Sequence, residues 1–236
     1  MKACPDSPVY ALLKNPSMLD FPGRLAAVFF ISGCNFRCGF CHNPGLMRSR
    51  QKGIPWDQLE ATCRKLADNW VDGAVIMGGE PTVAPDLIEV IQFFRSLGWA
   101  IKLDTNGSRP DALEEYLPLV SYVAMDVKAG PSGYAGLTGF GDMSAIRRSI
   151  ALLRENARDY EFRTTVLESF HTDAQMKEIG ELIRGGRRYV LQPFVPRDSI
   201  SDPALQGKPR TSRERLLSIR NLLAGCAEEI LIRGDD

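Results

Sequence analysis

Six times along this chain a short β-branched or aromatic run is followed by a segment of helical period. That alternation restricts the fold more than any other feature. LAAVFFI, Leu25 to Ile31, reads as a strand, and DQLEATCRKLADNW as a helix with Leu59, Cys63, Leu66 and Trp70 on one face. GAVIM is the next strand, followed by PDLIEVIQFFRSL with Leu87, Ile88, Ile91 and Phe94 as its apolar stripe. WAIKL, a short helix from Ala112 to Leu117, SYVAM and a helix from Ser144 to Asn156 come next. Then come YEFRTTVL, a helix from Asp173 to Arg184, RYVLQPF, a helix from Ser212 to Ala224, and EEILIRG as a strand or extended tail. Such a series predicts an α/β fold of parallel strands with crossover helices, closing as a partial (β/α)6 barrel. At 236 residues, 44% of them hydrophobic, one domain over 1–236 is expected. Its core spans about 18–195, and 196–236 form a C-terminal loop and helix.

A barrel carries its chemistry at the C-terminal ends of its strands, so polar motifs should follow each strand. They do. A cysteine cluster follows the first strand, GGEPT (Gly78 to Thr82) the second and DTNG (Asp104 to Gly107) the third. DVK (Asp126 to Lys128) ends the fourth, and Arg163 and Gln192 lie on the fifth and sixth. An open doubly wound sheet would gather its ligands at one switch point instead.

Charge and targeting exclude several classes. Lys plus Arg equal Asp plus Glu at 29 each, a balance that favours neither nucleic acid nor an anionic membrane as partner. MKACPDSPVYALLKN has no apolar signal core, and LAAVFFI is far too short to span a bilayer. Six cysteines without an export signal point to metal or redox chemistry in a reducing compartment, so a cytoplasmic location is expected.

The cysteines of GCNFRCGFCHNP, Cys34, Cys38 and Cys41, pose a coordination problem, because there are three of them. A structural zinc takes four protein ligands, drawn as a rule from two separated pairs. Cys4, Cys63 and Cys226 are isolated, and Cys63 lies on a helix stripe where a buried inert thiol is expected. His42 could complete a Cys3His site, but it adjoins Cys41, and neighbouring residues rarely wrap back onto one ion. A zinc-binding structural module stays open as an alternative. An iron–sulfur cube held by three thiolates leaves one iron without a protein ligand, and an open position is where a substrate binds.

Cys34-x3-Cys38-x2-Cys41, with Phe40 before the last cysteine, resembles the signature of the radical S-adenosylmethionine superfamily. The resemblance implies a [4Fe–4S] cluster on those cysteines, whose open iron takes the amino and carboxylate groups of S-adenosylmethionine. It also implies reductive cleavage to a 5′-deoxyadenosyl radical that abstracts hydrogen, and a full or partial (β/α) barrel. Phe36 and Phe40 are expected to shield the cluster, since burial shifts cluster potentials widely.

The cofactor's methionyl end needs acceptors for its ammonium and donors or a cation for its carboxylate. Gly78, Gly79 and Glu80 resemble the family's GGE element, which implies amino-group binding by Glu80 and by bare backbone. Asp104, Thr105, Asn106, Asp126 and Lys128 resemble elements of the pyruvate formate-lyase-activating enzyme. There the matching aspartates and threonine hold a monovalent cation near the carboxylate, and the lysine binds cofactor. The plain alternatives are that Asn106-Gly107 is a turn and Asp126–Lys128 a rim ion pair. Arg163 and Gln192 complete the expected cofactor-binding set.

MLDFPGR before the first strand and CHNP after the cluster resemble the activating enzymes of glycyl-radical proteins. The likeness is nearest to the longer form of the anaerobic ribonucleoside-triphosphate reductase activator. It implies an oxidoreductase whose partner is a glycyl-radical enzyme, with flavodoxin or ferredoxin as electron donor. Asp20 is the candidate partner contact. A small molecule or a peptide is the alternative substrate. Two local features stand apart. Gly39 occupies a position where many relatives carry proline, and PFVPRDSISDPALQGKPR after Gln192 reads as a flexible loop over the active face.

Overall fold

The computed structural model describes residues 5–47 and 51–234. Cys4 lies outside them. Two compact units result: the first takes the described residues of Met1–Asn35, Gly45–Thr105 and Asp111–Val123, the second Phe36–Pro44, Asn106–Pro110 and the described residues of Ala124–Asp236.

In the first unit, β1 (Val9–Leu12) pairs antiparallel with β2 (Ala26–Ile31), which runs parallel to β3 (Gly73–Gly78), itself parallel to β4 (Ala100–Thr105). Nearly every residue of AAVFFI is buried, as both faces of a parallel strand require. The long connection after β2 holds the one-turn helix α1 (Pro44–Met47) and returns through α2 (Trp56–Asp68). Leu59 and Cys63 are fully buried on α2, but Trp70 is not on their stripe. The helix stops at Asp68, so helical period cannot carry Trp70 round to the core face; it sits at φ 70° and is 89% exposed. Trp56, at the start of α2, is buried in its stead. α3 (Leu87–Ser96) buries Leu87, Val90, Ile91, Phe93 and Phe94, and Phe94 packs against Phe29 with ring centroids 4.4 Å apart. α4 (Pro110–Tyr116) leads into β5 (Tyr122–Asp126), whose last three residues belong to the second unit.

In the second unit, β6 (Tyr160–Val166), β7 (Gly186–Pro193) and β8 (Ala227–Ile232) are mutually parallel neighbours in chain order. They alternate with α5 (Tyr134–Thr138), α6 (Met143–Asn156), α7 (Asp173–Leu182), α8 (Pro203–Gln206) and α9 (Arg213–Leu222). Helix starts are set by side-chain caps: Asp142 accepts from Ser144 and Ala145, Thr172 from Gln175, and Ser212 from Arg215. EEILIRG resolves as the strand β8. Glu161, fully buried on β6, takes both donors of Arg233 at 2.8 Å just beyond β8. The class is mixed α/β, as the alternation predicts, with β1 added to the six expected strands and β8 resolving the strand-or-tail reading as a strand. Among the described residues no helix is long and apolar enough to cross a membrane.

Candidate active site

Where β2 ends, the chain is pinned by backbone. Gly33 N–H donates to Leu46 O (2.7 Å), Glu80 N–H to Gly33 O (2.8 Å) and Gly79 N–H to Ile31 O (2.8 Å). A Cβ on Gly79 would lie 2.1 Å from Gly33 O, and one on Gly78 (φ +128°) 2.4 Å from Ile31 O. The missing side chains of GGE therefore admit the strand that launches the cysteine loop.

Glu80 is 1% exposed, and its Oε1 accepts from Thr82 N (3.2 Å), Thr82 Oγ1 (2.5 Å) and Thr105 Oγ1 (2.6 Å). The GGEPT and DTNG motifs thus meet on one carboxylate oxygen. Thr82 was not among the expected residues; its cue was the spacing Glu-x-Thr, which caps a 3-10 turn at Pro81–Val83. Asp104 accepts from Lys102 Nζ at 2.6 Å, and both are buried. Lys102 was missed too, although residues two apart on a strand share a face. Asp20 lies elsewhere in this unit. Ser17 Oγ accepts its N–H (3.2 Å) in the turn before β2, whereas Cys34 follows the strand's other end, about 20 Å away at 3.3 Å per residue.

The second unit is organised by Asp126. Lys128 Nζ donates to its Oδ2 (2.8 Å) and Arg163 Nε to its Oδ1 (2.9 Å). Burial alone would raise this carboxyl, but Arg163 and Lys128 hold it well below the usual carboxylate range. Burial likewise opposes the Lys128 ammonium, yet Asp126 lifts it above the ordinary lysine value. Lys102 thus pairs with Asp104, and Lys128 and Arg163 with Asp126, the two aspartates expected near a monovalent cation.

Lys128 Nζ also stands 5.9 Å from the centre of the Phe40 ring, in the turn that carries Cys38 and Cys41. Cys41 N–H donates to Cys38 O (3.2 Å), and Asn43 N–H to Cys41 Sγ (3.4 Å). Burial pushes the Cys38 thiol up to about 11, with Lys128 pulling the other way; Cys41 is raised by burial as well. Phe36 and Phe40 are both buried, Phe36 against Phe140 at 5.0 Å.

His171 was missed. It is fully buried, its Nδ1 accepts from Leu167 N–H (2.8 Å), and its Nε2 therefore carries the proton donated to Lys128 O (2.9 Å). Asn106 Oδ1 accepts from Ser108 N–H (3.0 Å), and a Cβ on Gly107 (φ +73°) would strike Met125 at 2.1 Å, so this pair forms a turn. Gln192 stands on β7 opposite Thr165 and makes no hydrogen bond to Asp126, Lys128 or Arg163. Among the described residues, no three His, Cys, Asp or Glu side chains gather into a single-ion site.

The family model described as Radical SAM superfamily matches residues 28–183. The chain belongs to that superfamily. As a radical SAM enzyme it has a [4Fe–4S] cluster and S-adenosylmethionine as its cofactors. Over 225 residues it is 28% identical to MJ1227 of Methanocaldococcus jannaschii, named by inference a glycyl-radical enzyme activating enzyme, covering 92% of each chain. It is 36% identical over 76 residues to a protein of Methanothermobacter marburgensis named by inference a GTP 3′,8-cyclase, covering 32% of this chain and 25% of that one. Streptococcus suis SuiB bound to S-adenosylmethionine shares the fold at TM-score 0.68 and 17% identity. The match covers 91% of this chain and about half, 51%, of SuiB.

Proposed function

We propose that this radical SAM enzyme is an activating enzyme that generates a glycyl radical in a partner protein. One observation carries the reading: the likeness to MJ1227 runs through 92% of both chains, whereas likenesses to GTP 3′,8-cyclases cover a quarter to about half (24% to 55%) of those proteins. The motifs MLDFPGR and CHNP point the same way, with an anaerobic ribonucleotide reductase as the partner they best fit.

Cys34, Cys38 and Cys41 are assigned to the cluster. The donor set fits: buried Cys38 and half-buried Cys41 sit with a cationic Lys128 and a dry Phe40 face, which suits thiolate ligation of iron. Glu80, an acceptor set in its place by three donors, is assigned to the cofactor's ammonium, with Gly78 and Gly79 seating the loop beside it. Lys128 and Arg163, oriented by Asp126, are assigned to the cofactor carboxylate. Thr105, whose hydroxyl donates to Glu80, is assigned to holding that carboxylate, and Asp104, Asn106 and Gln192 to the wider cofactor-binding set. A reduced cluster held by these cysteines would supply one electron, returned by a flavodoxin- or ferredoxin-class donor, for reductive cleavage of S-adenosylmethionine and hydrogen abstraction from a glycine Cα of the partner. Asp20 is assigned to the partner, which must then span the length of β2.

The test is to incubate anaerobically reconstituted, reduced protein with S-adenosylmethionine and each glycyl-radical enzyme of its host. A glycyl doublet in electron paramagnetic resonance, with 5′-deoxyadenosine formed, is expected with one of them. Deoxyadenosine without a doublet from any would overturn the partner and favour a small-molecule substrate, the reading to which the partial cyclase likeness lends support.

A further inference from the structure

Residues 195–210, between β7 and α9, form a loop closed at its base. Phe194 N–H donates to Thr211 Oγ1 (2.9 Å), Thr211 N–H to Phe194 O (3.0 Å), and the Thr211 hydroxyl to Val166 O. Its interior is cross-linked by its own residues: Gln206 Nε2 donates to Asp198 O (3.1 Å) and Ile200 O (2.9 Å), Asp202 caps α8, and Ile200 is 2% exposed. This is an Ω-loop, packed and not a free tail.

Its inner side grips the turn that carries two of the three cysteines. Asp202 N–H (3.1 Å) and Ser201 Oγ (3.2 Å) both donate to Gly39 O, between Cys38 and Cys41. His42 Nε2 donates to Val195 O (3.1 Å) on the far side of Cys41. Position 39 also admits no side chain without movement, since a Cβ there would lie 3.0 Å from Asp202 Cβ and 3.3 Å from its Oδ2. Bareness at Gly39 and the seat of Asp202 are one feature.

We propose that residues 195–210 are a strap that holds the Cys38–Cys41 turn in one conformation, and that Gly39 is bare to let the strap seat. The inference rests on assigning Cys38 and Cys41 to the cluster, and its consequence at equilibrium is reciprocal: a seated strap favours the bound cluster, and a bound cluster favours the seated strap.

Arg197 and Arg210 are exposed trypsin sites on the strap, whereas Lys208 precedes Pro209 and is not cut. Compare wild type, Ser201→Ala and Gly39→Val, with iron and without, for tryptic cleavage at these sites and for iron release to a chelator. Ser201→Ala, which loses one net hydrogen bond, should speed both by about fivefold; Gly39→Val should do more. Loaded wild type should be cut more slowly than the iron-free chain. Faster cleavage in the variants with unchanged iron release would overturn the strap's hold on the cluster. Unchanged cleavage in both iron-free variants would overturn the contact itself. If Gly39→Val fails to fold, Ser201→Ala decides. Should wild type take up no iron, the cluster assignment fails, while the iron-free cleavage rates still decide whether the strap is seated on Gly39.

Discussion

Oε1 of Glu80 accepts three hydrogen bonds, and its donors fix where the carboxylate can present negative charge. Glu80→Ala should leave iron content unchanged but weaken S-adenosylmethionine binding by roughly tenfold to a hundredfold, the weight of a hydrogen bond to a charged group. Calorimetry on the reconstituted protein measures it, and an unchanged affinity would make Glu80 purely structural. Lys102 tests a different kind of dependence. Lys102→Met leaves Asp104 charged and buried without its ammonium, and breaking such a pair costs on the order of 3–5 kcal/mol. Urea unfolding at neutral pH should reveal that loss; a midpoint within error of wild type would mean that Asp104 had found another partner. Glu80 and Asp104 were legible from their place after strands. Lys102 and Thr82 were not, because their importance lies in which carboxylate they reach, and only the β3–β4 register brings Thr105 to Glu80.

Elements were legible in proportion to the strength of their period. Runs such as AAVFFI and LIEVIQFF declare themselves, being buried on both faces or on one full stripe. β1 did not, because VYAL is four residues long, is interrupted by a bulge between Val9 and Ala11, and owes its strand conformation to the free edge of β2. The grip of the strap on Gly39 was beyond reach for the same reason at greater range, since Ser201 and Gly39 are 162 positions apart. The segment linking β6 to α7 shows what such a tie does to pH dependence. Burial, outweighing its two backbone hydrogen bonds, lowers the His171 pKa, so the folded chain holds a neutral ring. The unfolded ring titrates near about 6.5. Below that pH the unfolded chain binds the proton first, so the stability that His171 confers is complete above about 6.5 and is lost as pH falls through the lower folded value. His42 is shifted in the same direction, chiefly by burial, and Asp126 titrates well below this window. Wild type should therefore lose more of its urea midpoint between pH 7.5 and 5.5 than His171→Gln, whose amide can accept from Leu167 and donate to Lys128 without gaining a proton. Equal losses would remove His171 as a source of the dependence.

At the scale of the whole molecule the question is whether the fold needs its cluster. Small zinc domains are unfolded without metal because their ligands are most of their core. Here each unit has its own apolar core: Val28, Phe29, Ile76, Phe94 and Leu103 are buried in the first, and Phe162, Tyr189, Val190, Ile179 and Ile219 in the second. Cys38 and Cys41 stand on a turn already held by Gly39 O, His42 and the Cys38–Cys41 backbone bond. The cluster then stabilises by mass action on a chain that is folded without it. Cys38→Ala should keep the far-ultraviolet circular dichroism of wild type and a cooperative thermal transition. After reconstitution it should lack the brown colour and the roughly four irons per chain of the wild type. Wild type, in turn, should melt at a higher temperature loaded than iron-free. If Cys38→Ala and iron-free wild type were both unfolded, the cysteine turn would be part of the core, and the independence of the fold from its cofactor would be lost.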